Sequence, residues 1–276
     1  MPSPLRQRIR AGLLLTAGLS LALACGAHAA PAPASAPAAK TAPAPAAKAA
    51  PAKARAKASA SKVVDFHEWD EYLGTYSDQY SAYNQINTKN VSELTPAWTF
   101  ETGAGAPDHF QPLFVKGKLY IILHGNTLVA LDAATGTELW RKPLQGRAGS
   151  RGMNYWESPN GKDGRLLFIN NGMLTEVSAA TGDTIQTFGE DGKVDIRVGL
   201  DNDISKMRPL QTDNPGQIYK NLIIISLPAG AYDFASPPAD IHAYNILTGK
   251  LVWIFHVVPH KGEYGYDTWP AKDHEK

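Results

Sequence analysis

The chain has 276 residues with 27 Lys+Arg against 26 Asp+Glu, a formal charge of +1 that hides a division near Lys62. Residues 1–62 hold nine basic residues, no acid and no aromatic, whereas residues 63–276 hold 18 basic against 26 acidic groups, a net of −8, and all 25 Phe, Trp and Tyr. An acidic body of 214 residues can bury one sizeable core and offers no basic face for phosphates, which excludes nucleic acid as a partner; the single Cys25 lies in the head, so the body forms neither a disulfide nor a thiolate metal site.

Arg6, Arg8 and Arg10 precede a 14-residue apolar stretch, Ala11 to Ala24, and then Ala27-His28-Ala29. A positive start, a short apolar run and small residues in that order predict a secretory signal peptide over residues 1–30 and export to the periplasm. The run is too short for a membrane span, which needs about 20 apolar residues. Cys25 after Leu21-Ala22-Leu23-Ala24 leaves a lipoprotein as the alternative, with leucine out of its usual place. Pro31 to Lys62 contains only Ala, Pro, Lys/Arg and Ser/Thr. Nothing in it can build a core, and a flexible linker is expected over 31–62.

From Val63 onward short apolar runs alternate with Gly, Asn, Asp and Pro. Leu119–Leu123, Leu166–Ile169 and Leu222–Ile225 read as strands buried on both faces. No long stretch of helical period interrupts them, so the body is read as all-β. Thr-Gly pairs recur at Thr135-Gly136, Thr181-Gly182 and Thr248-Gly249. Around the first and third, Leu128–Asp132 leads through the turn to Trp140, and Ile241–Asn245 leads to Trp253. Each glycine can take positive φ at little cost, and Asp132 or Asn245 can cap the turn amides. The two indoles are expected to be buried at equivalent places between sheets. In the middle copy Ser178 replaces the acid and Gln186 the indole. Turn spacings of 46 and 67 residues bracket a four-stranded blade of about 40–50 residues plus insertions, which predicts a β-propeller.

This repeat, together with motifs outside it, resembles the quinoprotein dehydrogenases that bind pyrroloquinoline quinone (PQQ). The motifs are Tyr72-Leu73-Gly74, Tyr80-Ser81, Asn84–Asn87 and Ala97-Trp98 in an entry segment, the loop Arg151-Gly152-Met153-Asn154-Tyr155-Trp156, Asp191–Asp195, and the run Phe255 to Pro270. The resemblance covers residues 66–276. It implies an eight-bladed propeller when complete, with residues 63–276 as its N-terminal part and about half its blades. The adjacent cysteine pair of methanol and ethanol dehydrogenases is missing, which turns the comparison toward the glucose, polyol and quinate branch.

The resemblance also implies a site. Arg151 matches the family arginine that touches the cofactor, and a guanidinium suits carboxylate or quinone oxygens. Trp156 stands either as an aromatic wall or as a sheet-packing indole. His109 and Gln111 occupy places where relatives have an acid and a threonine; His109 can still hydrogen-bond a cofactor oxygen there, and Ser226 falls where a cofactor-contacting loop is expected. His256 and His260 lie four apart, but across strand and turn, where they need not share a face; no metal role is assigned to them. No residue matches the family's catalytic Asp or calcium ligands, which lie further along in relatives. The expected function is therefore the N-terminal portion of a periplasmic PQQ- and calcium-dependent dehydrogenase, inactive as this piece. Its substrate would be an alcohol, polyol or sugar and its electron acceptor a quinone or cytochrome. The alternative is a non-catalytic propeller scaffold in the cell envelope.

Overall fold

The computed structural model describes residues 67–103, 110–124, 126–201, 203–228 and 239–270. The expected signal peptide and linker, Cys25 and His109 lie outside them. Twelve strands are described: β1 (Leu113–Val115), β2 (Lys118–Leu123), β3 (Thr127–Asp132), β4 (Glu138–Pro143), β5 (Asn154–Glu157), β6 (Gly164–Asn170), β7 (Met173–Ser178), β8 (Lys193–Asp195), β9 (Gln217–Tyr219), β10 (Leu222–Ser226), β11 (Ile241–Asn245) and β12 (Leu251–Phe255). They form three antiparallel four-stranded sheets, β1-β2-β3-β4, β5-β6-β7-β8 and β9-β10-β11-β12, each pairing in sequence order. These are propeller-like blades, three among the described residues where about half of eight was expected.

The sheets pack face to face. One core joins Leu113, Tyr120, Leu128 and Ala130 of the first sheet to Leu166, Phe168 and Val177 of the second. Another joins Leu167, Ile169 and Leu174 of the second to Ile223, Ile225 and Tyr244 of the third. Strand β6 is thus covered on both sides, and Leu166 to Ile169 are buried without a break, as expected of a doubly covered strand. The reading fails for β10, where Ile223 and Ile225 are buried while Leu222 and Ile224 are only half-buried. No fourth sheet covers its other face among the described residues. On β2, Leu119 and Ile121 turn instead toward Trp98 and Phe100 of the entry segment.

The Thr-Gly turns use the predicted chemistry. Gly136, Gly182 and Gly249 all have φ near +70° (72°, 73° and 71°), where a side chain is strained. The Asp132 carboxylate accepts from the amides of Ala134 and Thr135 at 3.1 and 2.9 Å, and Asn245 Oδ1 from those of Leu247 and Thr248 at 2.9 and 3.2 Å. An indole docks on each of the first two turns. Trp98 Nε1 donates to the Ala133 carbonyl at 3.0 Å, and Trp140 Nε1 to the Ala179 carbonyl at 3.3 Å. A Cβ on Gly136 would stand 2.5 Å from the Trp98 ring, and one on Gly182 2.7 Å from the Trp140 ring. Glycine is required twice over, by φ and by the ring lying against it.

The third turn has no indole to receive, because Gln186 is exposed and the fourth strand of the middle sheet comes later, at β8. Arg165 takes over. Its Nη1 donates to the Ile246 carbonyl at 3.2 Å, the same place in the turn as Ala133 and Ala179. The guanidinium also bonds Glu176 at 2.9 Å and Asp163 at 2.7 Å and lies over the Trp156 ring, 5.4 Å from its centroid. Gly249 packs against the backbone of Gly189, whose amide donates to the Thr248 carbonyl at 3.0 Å. The expectation for Trp253 is corrected: it is 39% exposed, because among the described residues no following turn lies against it.

Candidate functional site

Three first strands, β1, β5 and β9, lie side by side, and the entry segment crosses all of them. Trp69 pairs with Phe114 of β1 through two backbone hydrogen bonds of 2.7 and 3.0 Å. The Asp70 carbonyl accepts from the Tyr155 amide of β5 at 2.8 Å. Glu71 and Ser77 both bond the Gln217 side chain of β9. Glu71 is buried, and its burial, then the neighbouring Asp70 charge, pushes the carboxyl up to about 7 against a hydrogen bond from the Ile218 amide. The segment acts as a strap that fixes where the strands begin.

At that beginning sits the Arg151 loop. Arg147 pairs with Asp213 at 2.8 Å, and the same carboxylate accepts from the Ser150 amide at 3.0 Å. Asn154, wholly buried, donates to the Pro215 and Gly216 carbonyls at 2.8 and 3.2 Å. Gly152 has φ of 129°, and a Cβ there would come 3.3 Å from the Gln111 carbonyl. Asn214, in the loop before β9, donates to Ser226 Oγ at 2.7 Å. Gln111 and the Arg151 loop thereby meet at a ledge formed by the lead-ins to β1, β5 and β9, and Ser226, at the end of β10, is joined to it through Asn214.

Within this tied loop Arg151 itself is exposed and makes no hydrogen bond or ion pair among the described residues. A fixed backbone presents a free guanidinium, which is what recognition of a planar polyanion needs. Such an arginine can hold a planar carboxylate or quinone oxygen. Gln111 is partly engaged, accepting from the Leu73 amide at 3.4 Å. Among the described residues, no group on the ledge supplies the cluster of carboxylates that calcium requires.

Trp156 stands apart from the ledge. Its Nε1 donates to the Lys220 carbonyl at 3.0 Å, in the turn between β9 and β10, whereas Asn214 and Ser226 lie at the other end of that hairpin. The indole is 6% exposed and belongs to the core between the second and third sheets. Its packing use is what the structure displays.

Sequence reasoning missed two features. The strap carboxyl Glu71 carries no motif of its own; only its place before Tyr72-Leu73-Gly74 could have drawn notice. The second feature is the pair His256 and His260, whose rings stack with centroids 3.7 Å apart. Strand followed by turn gave no reason for them to share a face. The turn through Pro259 instead folds the chain back and brings them together.

Residues 69–276 match the family model described as "PQQ: Glucose/ethanol/alcohol dehydrogenase, beta-propeller domain". The chain is 30% identical over 220 residues to the quinate/shikimate dehydrogenase (quinone) of Acinetobacter baylyi, covering 68% of this chain and 27% of that protein. It is 31% identical over 224 residues to the quinoprotein glucose dehydrogenase of Gluconobacter oxydans, covering 70% and 27%. The chain thus spans about a quarter of the length of the curated relatives it matches. The quinohemoprotein alcohol dehydrogenase structure from Comamonas testosteroni superposes with a TM-score of 0.54 at 21% identity, covering 73% of this chain and 29% of that one. That likeness is one of fold.

Proposed function

From the premise that this chain belongs to the PQQ-type glucose/ethanol/alcohol dehydrogenase β-propeller family, we propose that it supplies one side of the quinone cradle of a periplasmic dehydrogenase. The reaction is oxidation of an alcohol, polyol or sugar-like hydroxyl, with electrons passed on to a quinone or cytochrome. PQQ, when bound, supplies the two-electron acceptor for that oxidation. The part assigned to this chain is binding: Arg151 holds a carboxylate or quinone oxygen, and Ser226 offers a hydroxyl on the same ledge. Trp156, apart from the ledge, holds the far end of the β9–β10 hairpin against β5. Catalytic base and calcium ligands are assigned to no residue of this chain. Export rests on the n-region arginines and the 14-residue apolar stretch; a protein recovered from the cytoplasm with Met1 retained would contradict it.

The observation that carries this reading is the exposed Arg151, without a partner among the described residues, on a loop held by Asp213 and Asn154. Titration of the purified chain with PQQ, followed by tryptophan fluorescence, tests it. A charge-assisted hydrogen bond contributes about 1.5–3 kcal/mol, so Arg151→Ala should weaken binding on the order of 10- to 150-fold. Arg151→Lys, which keeps the charge but loses the fork, should fall between. Equal affinity in Arg151→Ala would remove Arg151 from the cradle. No saturable binding by the unaltered chain would favour the non-catalytic scaffold.

A further inference from the structure

After β12 the chain leaves the third sheet, turns at Pro259 and doubles back so that three metal-ligand side chains converge. His256 Nδ1 lies 2.8 Å from Glu263 Oε1, and the His260 amide donates to Glu263 Oε2 at 2.7 Å. His260 Nε2 lies 2.9 Å from Asp201 Oδ2. The two imidazoles stack with 19° between their planes. Potential donor atoms of His256, His260 and Glu263 all fall within 4.8 Å of one another.

The hydrogen bonds fix the chemistry of the rings. A carboxylate oxygen can only accept, so the nitrogen facing it carries the proton. His256 therefore donates through Nδ1 and keeps the lone pair of Nε2; His260 donates through Nε2 and keeps that of Nδ1. In its neutral form His260 has one nitrogen committed to Asp201 and one able to bind a cation, and a histidine held by an acid in this way is the usual outer support of a metal-bound imidazole. The carboxylate that His256 faces is Glu263 itself, so there a metal would take the place of the proton shared between ring and acid. We propose that His256, His260 and Glu263 form a site for a divalent transition metal of the zinc class, with Asp201 orienting His260 from outside.

Two nitrogens and one carboxylate suit zinc or cobalt, and they are a poor set for calcium or magnesium, which take oxygen. Donors bound to one zinc at about 2.0–2.1 Å lie roughly 3.4 Å apart in a tetrahedron, so the cluster must draw in slightly. The side chains are free to do so: those of His260 and Glu263 are 43% and 42% exposed. Three protein ligands leave a fourth position open. A bound metal would also tie the segment after β12 to the Leu200-Asp201 turn, joining the third sheet to the segment that follows β8. This inference does not depend on the quinone reading, since it uses none of the ledge residues.

The test is titration of the untagged, chelator-treated chain with Zn²⁺ by calorimetry and with Co²⁺ by visible absorption. One metal per chain, with affinity in the micromolar range or tighter and Co²⁺ bands of a low-symmetry site, is expected. Millimolar Ca²⁺ should not displace it. His260→Ala and Glu263→Gln should each weaken binding at least tenfold while leaving the far-ultraviolet circular dichroism unchanged. Asp201→Asn should weaken it by about tenfold through the orientation of His260. His256→Gln is the second ligand variant should either of the first two fail to fold. Absence of submillimolar binding, or binding that these variants leave untouched, would overturn the site.

Discussion

Trp140→Ala should destabilise the protein by about 3 kcal/mol, at the lower end of what removal of a packed indole costs. The ring is only partly buried, but it does three things at once. It covers Gly182, donates to the Ala179 carbonyl and packs with Tyr120, whose centroid is 6.1 Å away. Truncation leaves a gap between two sheets and a turn carbonyl without its donor. Trp253→Ala provides the contrast. This indole stands at the matching place on β12 but is 39% exposed, and its loss should cost less than about 1 kcal/mol. Urea titrations of both variants read the difference directly. Equal losses would mean that indole docking between sheets contributes little and that strand pairing alone holds the blades.

The second large effect is expected at Arg165, where the middle blade lacks its indole. Arg165→Met keeps the aliphatic length but abandons the Ile246 carbonyl, Asp163 and the wholly buried Glu176. A buried polar group left without a partner costs about 1–3 kcal/mol, and two are orphaned, so a loss of about 3 kcal/mol is expected near neutral pH. Burial pushes the Glu176 carboxyl up to about 8, although Arg165 pulls it down. A carboxyl raised in the folded state favours folding fully below its unfolded value of about 4.3, and that contribution drains away as pH rises toward 8. Up to there the native protein and the variant should lose stability in parallel. Above it the native protein levels off, while the variant, without the cation, goes on falling. Arg165→Met with Glu176→Met together should be more stable than Arg165→Met alone, since an apolar pair replaces the orphaned acid. A double variant no better than the single one would show that Arg165 acts only through Asp163 and Ile246.

Much of this fold was legible in the residues. The Thr-Gly turns, their Asp132 and Asn245 caps and the strands leading into them depend on a few neighbouring positions, and local chemistry fixes such features. The weak middle blade was visible too, in Gln186. What replaced the indole was not, because Arg165 precedes Gln186 by a whole strand and turn and reaches the third sheet only through tertiary packing. Exposure of Trp253 was hidden for a similar reason: burial belongs to what lies opposite a side chain, and the repeat names only the side chain. His256 and His260 are separated by Pro259, and no periodicity describes a chain that doubles back. At the ledge, the motif around Arg151 marked the right loop, but a motif cannot say that Trp156 turns into the core while Arg151 faces out.

The central claim is that the ledge before β1, β5 and β9 receives the quinone. A crystal structure of the chain grown with PQQ tests it most directly. The account predicts planar density on that ledge, with an Arg151 guanidinium nitrogen within hydrogen-bonding distance of a PQQ carboxylate or quinone oxygen and Ser226 on the same side. Ordered PQQ bound elsewhere on the three sheets, with Arg151 still free in solvent, would contradict it.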